Sequence, residues 1–168
     1  MFQVGDQVVY GSHGVCRVVD QEERVVDRKR VTYLALEPVG QGGSKYLVPT
    51  QNAAAMAKLR RMLSREELED MLASEEIRAD SWIQDENLRK QTYRELINSG
   101  DRIKLMRMVR TLYRHKASQA AVGRKCHLCD ENFLRDAEKL LTSEFSLVLG
   151  LEPEQVRRYM AERLKGNE

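Results

Sequence analysis

The apolar residues change their period part-way along the chain, and that change limits the folds open to it. Up to Pro49 they come in short runs: Val8-Val9-Tyr10, Val15 with Val18 and Val19, Val31 to Leu36, and Tyr46 to Val48. Short β-branched and aromatic runs cut by turn residues read as strands. The turns are Gly5-Asp6, Gly11-Ser12-His13-Gly14, Asp27-Arg28-Lys29 and Gly40-Gln41-Gly42-Gly43. So many strands in so few residues predict a small, strongly bent sheet of the SH3 type, with edge strands open to another chain. Residues 51–62 are ambiguous: Ala53-Ala54-Ala55 favours helix, yet the segment could also supply a last strand.

Beyond residue 62 the spacing becomes helical. Ser64-x-x-Glu67 is a capping box before Leu68, Met71 and Leu72. Ser81-x-x-Gln84 predicts a second helix start, and Asn98-Ser99-Gly100 its end. Asp101 caps a third helix with Ile103, Leu105, Met106, Val109, Leu112 and Tyr113 towards a core. Ala117 to Lys125 reads as a basic connection. Asp130 caps a fourth helix that stops at Gly150, and Pro153 suits the first turn of a fifth. The fold class is therefore α+β: a small β-barrel over residues 1–62, then an all-α domain over residues 63–168.

Net charge is +2 over 168 residues, but it is unevenly spread. Residues 63–100 hold five basic and ten acidic side chains; residues 101–129 hold eight and one. That clustering is the electrostatic footprint of a partner rich in phosphate. On the third helix Lys104, Arg107, Arg110 and Arg114 recur at steps of three, three and four, which stacks them on one side. The alternative is a solvated face paired with the acids of residues 63–100.

Enzymatic chemistry finds little support. No Walker loop, dinucleotide glycine pattern or HExxH is present. Cys126-x-x-Cys129 is half a zinc site, but His13, His115 and Cys16 are too scattered to complete four ligands. Cys16 beside His13 lacks an orienting acid. The expectation is a non-enzymatic chain with no metal and no cofactor. Three cysteines argue for a reducing, cytoplasmic setting. No apolar run is long enough to span a membrane, and Met1 to Asp6 has no signal-peptide pattern. Trp82, the single tryptophan, reads from sequence alone as packing between helices.

The opening Phe2-Gln3-Val4-Gly5-Asp6-Gln7-Val8-Val9-Tyr10-Gly11-Ser12-His13-Gly14-Val15 resembles the polymerase-interacting domain shared by CarD/CdnL proteins and transcription-repair coupling factors. Tyr46-Leu47-Val48-Pro49 is similar to the end of its barrel strand. The likeness continues through Ser99-Gly100-Asp101, Val109-Arg110-Thr111-Leu112-Tyr113-Arg114 and Asp130 to Glu138. A coupling factor also carries a helicase, for which this chain is too short, so the stand-alone regulators are the better match.

The resemblance implies a Tudor-like domain bound to the RNA polymerase β subunit, partly by strand addition. It also implies a helical domain at promoter DNA near the upstream edge of the bubble, where a Trp wedges at the minor groove and prolongs the open complex. Carried over by position, Glu23, Arg24, Val25 and Val26 form the polymerase-facing strand, and Trp82 is the wedge. Arg89, Lys90, Lys104, Arg107, Arg110, Arg114, Arg124 and Lys125 complete the DNA-contacting set. The expected state is a monomer in the cytoplasm, associated with the nucleoid. Two departures from the pattern stand out. Leu47 stands where relatives often carry a basic residue, and Asp85 and Glu86 follow Trp82 where basic residues often stand. A protein-interaction adaptor for an acidic protein or RNA is the alternative function.

Overall fold

The computed structural model describes residues 1–40, 42–79 and 81–165. Gln41 of the glycine-rich turn, Asp80 at the end of the acidic stretch and the last three residues lie outside them. Contacts divide the chain into two compact units, Met1–Met62 and Leu63–Glu168.

The first unit is an antiparallel sheet of β1 (Gln7–Tyr10), β2 (Val15–Val26), β3 (Lys29–Pro38), β4 (Tyr46–Pro49) and β5 (Leu59–Arg61), in the order β4-β3-β2-β1-β5. No pairing of β4 with β5 closes it into a barrel among the described residues. The ambiguous segment resolves as both alternatives. A short helix α1 (Ala53–Met56), capped by Asn52, precedes the edge strand β5 on β1. Val8, Cys16, Val18, Leu34, Leu36, Val48 and Leu59 make the core of this unit.

β2 and β3 form a long hairpin closed by Asp27-Arg28, with φ of 50° and 64°. Two left-handed residues give the type I′ turn whose twist suits adjoining strands. That geometry is ordinarily supplied by glycine or asparagine, so the tip holds Arg28 in a conformation its Cβ disfavours.

The second unit holds α2 (Arg65–Ala73), a 3₁₀ turn (Glu75–Arg78), α3 (Glu86–Ser99), α4 (Arg102–Ala121), α5 (Leu128–Leu149) and α6 (Pro153–Lys165). Four caps follow the sequence. Ser64 Oγ accepts from Glu67 N–H, Asp101 Oδ1 accepts from Lys104 N–H, and Gly100 and Gly150 end their helices with φ of 65°. A β-carbon would strain both glycine positions.

Three expectations need correction. α3 starts at Glu86, not near Ser81, because Asp85 is the residue whose carboxylate accepts from Leu88 N–H at 2.8 Å. Ser81 Oγ instead bonds Thr111 Oγ1 at 2.7 Å. α4 runs to Ala121, so the predicted connection from Ala117 is helical over its first half. α5 begins at Leu128 with His127 at its cap position, and Asp130 lies buried inside its first turn.

Asp130 is buried because it meets Arg89 of α3. Arg89 Nε and Nη2 donate to Asp130 Oδ1 and Oδ2 at 2.8 and 3.0 Å, with side-chain exposures of 4% and 0%. Burial works against the guanidinium charge, but the facing carboxylate outweighs it and holds the Arg89 pKa above its ordinary value. A second two-bond pair joins Arg102 of α4 to Glu144 of α5, and Glu144 also accepts from Leu63 N–H at 3.1 Å. Around these pairs Leu68, Ile77, Leu105, Met106, Leu112, Phe145 and Met160 form the apolar core.

Removing one partner of such a pair strands a buried charge. Asp130→Ala is predicted to lower unfolding stability by about 3–5 kcal/mol. Combining Arg89→Met with Asp130→Leu is predicted to restore most of that loss. Urea unfolding of the full chain, followed by circular dichroism, measures both.

Candidate polymerase and nucleic-acid interfaces

The outer edge of β2 follows from strand pairing. Thr50 N–H donates to Thr32 O, so the Thr32 carbonyl points towards β4 and away from β2. Thr32 pairs with Glu23, which makes that pair the kind without mutual hydrogen bonds. The main-chain groups of Glu23 therefore also point away from β3, and those of Gln21 and Val25 follow by the period of two. On that side β1 pairs only with Val15, Cys16 and Arg17, and Gly5 and Asp6 serve Val18. A register irregularity between Val18 and Asp20 then turns the strand away. Beyond it the edge from Gln21 to Val25 has no strand beside it among the described residues. Arg24 meets Glu22 at 3.0 Å on one face, and Val25 is 72% exposed.

Trp82 sits in the non-helical stretch between the 3₁₀ turn and α3. His115 of α4 stacks on its ring at 3.6 Å between centroids, 13° from parallel. The Arg89 guanidinium lies 4.5 Å from the ring centroid, a cation–π distance. Indole Nε1 donates to Gln84 Oε1 at 3.2 Å. Arg89 Nη1 donates to Ile83 O at 3.0 Å, so one buried arginine fixes both the tryptophan and the backbone beside it. A cavity of about 230 Å³ opens here, lined by Trp82, Arg110, Thr111, Arg114, His115 and Ser118.

The basic stripe of α4 does not form one open face. Arg107 Nε donates to Glu76 O at 2.8 Å and Arg110 Nη1 to Arg78 O at 3.2 Å, so the 3₁₀ turn covers that part of the helix. Arg110 is 8% exposed and Arg89 3%. The Arg89 donors are turned inward, to the Asp130 carboxylate and the Ile83 carbonyl. Lys104 and Arg114 are exposed on α4, and Arg124 and Lys125 are exposed beyond its end. Lys90 pairs with Glu86 at 3.0 Å one turn away.

The two acids after Trp82 are engaged locally. Asp85 caps α3, and Glu86 is held below its ordinary pKa by the Lys90 hydrogen bond and charge. Sequence reasoning missed the roles of His115 and Arg89. The signal was present: Arg89 lies four and seven residues before Tyr93 and Leu96, on the inward face of α3, and His115 shares a face with Thr111 and Ser118. Burial pushes the Cys16 pKa up to about 11 and raises that of Cys126. Among the described residues, no group of three or more candidate ligands could hold a metal ion.

Residues 2–62 match the CarD-like/TRCF RID domain, and residues 67–161 match the CarD, C-terminal domain. The chain belongs to the CarD-like family. As a member, it is a non-enzymatic regulator of the type that interacts with RNA polymerase. The boundary between the two matched regions spans the division between the compact units. No described helix is long and apolar enough to cross a membrane.

Burial lowers the pKa of His115, the first cause, against the opposing pull of Asp130. A base with a lowered folded pKa is protonated first in the unfolded chain. Stability is therefore predicted to fall as pH drops below the unfolded imidazole value of about 6.5, until the folded form is protonated too. His115→Gln should flatten that part of a melting-temperature profile against pH.

Proposed function

We propose that this chain binds the RNA polymerase β subunit through the outer edge of β2 at Glu23, Arg24, Val25 and Val26. The helical unit then meets promoter DNA at the upstream edge of the bubble, prolonging the open complex. The observation that carries the reading is the uncovered edge from Gln21 to Val25, in the unit that matches the polymerase-interaction domain. Strand addition would supply main-chain hydrogen bonds there, and alternate side chains would set specificity. The chain acts as a monomer in the cytoplasm, at the nucleoid.

For the DNA side, the exposed cations Lys104, Arg114, Arg124 and Lys125 contact phosphates. Lys90 supports them from α3. Arg107 and Arg110 face the same side but act chiefly through the carbonyls of the 3₁₀ turn. Trp82 wedges at the distorted step; of the two acids that follow it, Glu86 is offset by its ion pair with Lys90, and Asp85 is taken up as the cap of α3. Contacts made only after the duplex opens shift the closed–open equilibrium.

Val25→Pro tests the edge. Proline removes the outward Val25 N–H while leaving the β2–β3 ladder intact. Binding to core polymerase in a pull-down is predicted to weaken about tenfold or more, with an unchanged circular dichroism spectrum. Unchanged binding would falsify strand addition at this edge. Replacing Arg124 and Lys125 by Ala is predicted to reduce the log–log salt slope of forked-DNA binding by about two. Trp82→Ala is predicted to shorten open-complex lifetime by the loss of about 1–3 kcal/mol of stacking while leaving polymerase binding intact. A competitor-challenge decay assay reads that lifetime.

A further inference from the structure

A second cavity, of about 250 Å³, lies between α3, α4 and the stretch that carries Trp82. Leu96, Met108 and Ile83 give it an apolar lining, and Lys104 and Arg107 supply cations to it. A mostly apolar hollow with a few convergent polar groups is the usual form of a small-molecule site. Its volume is slightly below the ~300 Å³ at which drug-sized pockets begin, enough for one ring or a short acyl chain.

The chain alternates across this stretch. Ser81 and Ile83 line the second cavity, whereas Trp82 between them lines the first. The backbone of this stretch therefore contributes neighbouring side chains to both cavities. It is tied at two points, by Ser81 to Thr111 and by the Ile83 carbonyl to Arg89, and Arg89 also lies over the indole.

We propose that this second cavity binds a small amphipathic anion, and that its occupancy sets the position of Trp82. The apolar body would lie against Leu96, Met108 and Ile83, and the carboxylate or phosphate would meet Lys104 and Arg107. Both charges have the sign that recognises an anion, and Arg107, whose Nε donates to the Glu76 carbonyl, can meet a planar carboxylate end-on through its two Nη groups. Displacing Ile83 moves the carbonyl held by Arg89, so occupancy is transmitted to the indole through a bonded path. This inference does not depend on polymerase or DNA binding.

The test uses the full chain, no nucleic acid, and benzoate as probe, with benzyl alcohol as its neutral counterpart. Trp82 is the only tryptophan, so its fluorescence reports on this stretch directly. Benzoate is expected to change Trp82 emission saturably, with a dissociation constant in about the millimolar range for an acid of this size. It is also expected to shift the Ile83 and Met108 methyl resonances. Benzyl alcohol should bind at least about fivefold more weakly. Lys104→Glu, on the helix surface, should weaken benzoate about tenfold, and Thr92→Phe should fill the cavity and abolish the response. No saturable change in emission or methyl shifts would overturn the site. Equal responses to benzyl alcohol, or to benzoate in Lys104→Glu, would overturn the anion assignment. Methyl shifts without an emission change would overturn the coupling to Trp82.

Discussion

The helical unit is organised around one buried ion pair. Charges out of water are costly unless matched in geometry, and Arg89 and Asp130 match through two parallel hydrogen bonds. The pair fixes α3 against α5. The remaining Arg89 donor then reaches the Ile83 carbonyl, and its plane lies over Trp82. A single aromatic in an irregular stretch would otherwise sample many rotamers. Here its surroundings are set by a residue held through two bonds to Asp130 and one to the Ile83 carbonyl.

Much of this architecture was legible in the sequence, because the signals were local. The capping box at Ser64, the cap at Asp101 and the left-handed glycines at positions 100 and 150 depend on a few neighbouring atoms, and each lies where the chemistry demands. The misreadings came from competition between local and tertiary claims. Ser81 and Asp130 both have good capping chemistry. Ser81 is taken by Thr111, thirty residues away, and Asp130 by Arg89, forty-one residues away. No local rule anticipates those partners. The basic stripe shows the same competition: its helical spacing is as read, but Arg107 and Arg110 also donate to the carbonyls of Glu76 and Arg78, which arrive from another element.

The sheet shows the opposite balance. Its strand order depends on pairings that no single strand encodes, and among the described residues no pairing of its end strands closes the sheet. Yet its most informative feature is arithmetic. β2 has twelve residues and β1 has four, so β1 cannot cover β2, and the hairpin must carry an unaccompanied edge. The strained Asp27-Arg28 turn keeps that edge twisted. An edge with outward main-chain groups is a hazard in a free protein, and the charges at Glu22, Glu23 and Arg24 are the usual restraint on indiscriminate pairing.

The alternation of Ser81, Trp82 and Ile83 has a consequence for how sequences of this kind can vary in length. Ser81 is held by Thr111 of α4 and the Ile83 carbonyl by Arg89 of α3, so these two anchors bracket Trp82 alone. A residue inserted between them would have to break one of the two bonds or move the indole off His115. Length is thus constrained most tightly across the tryptophan itself.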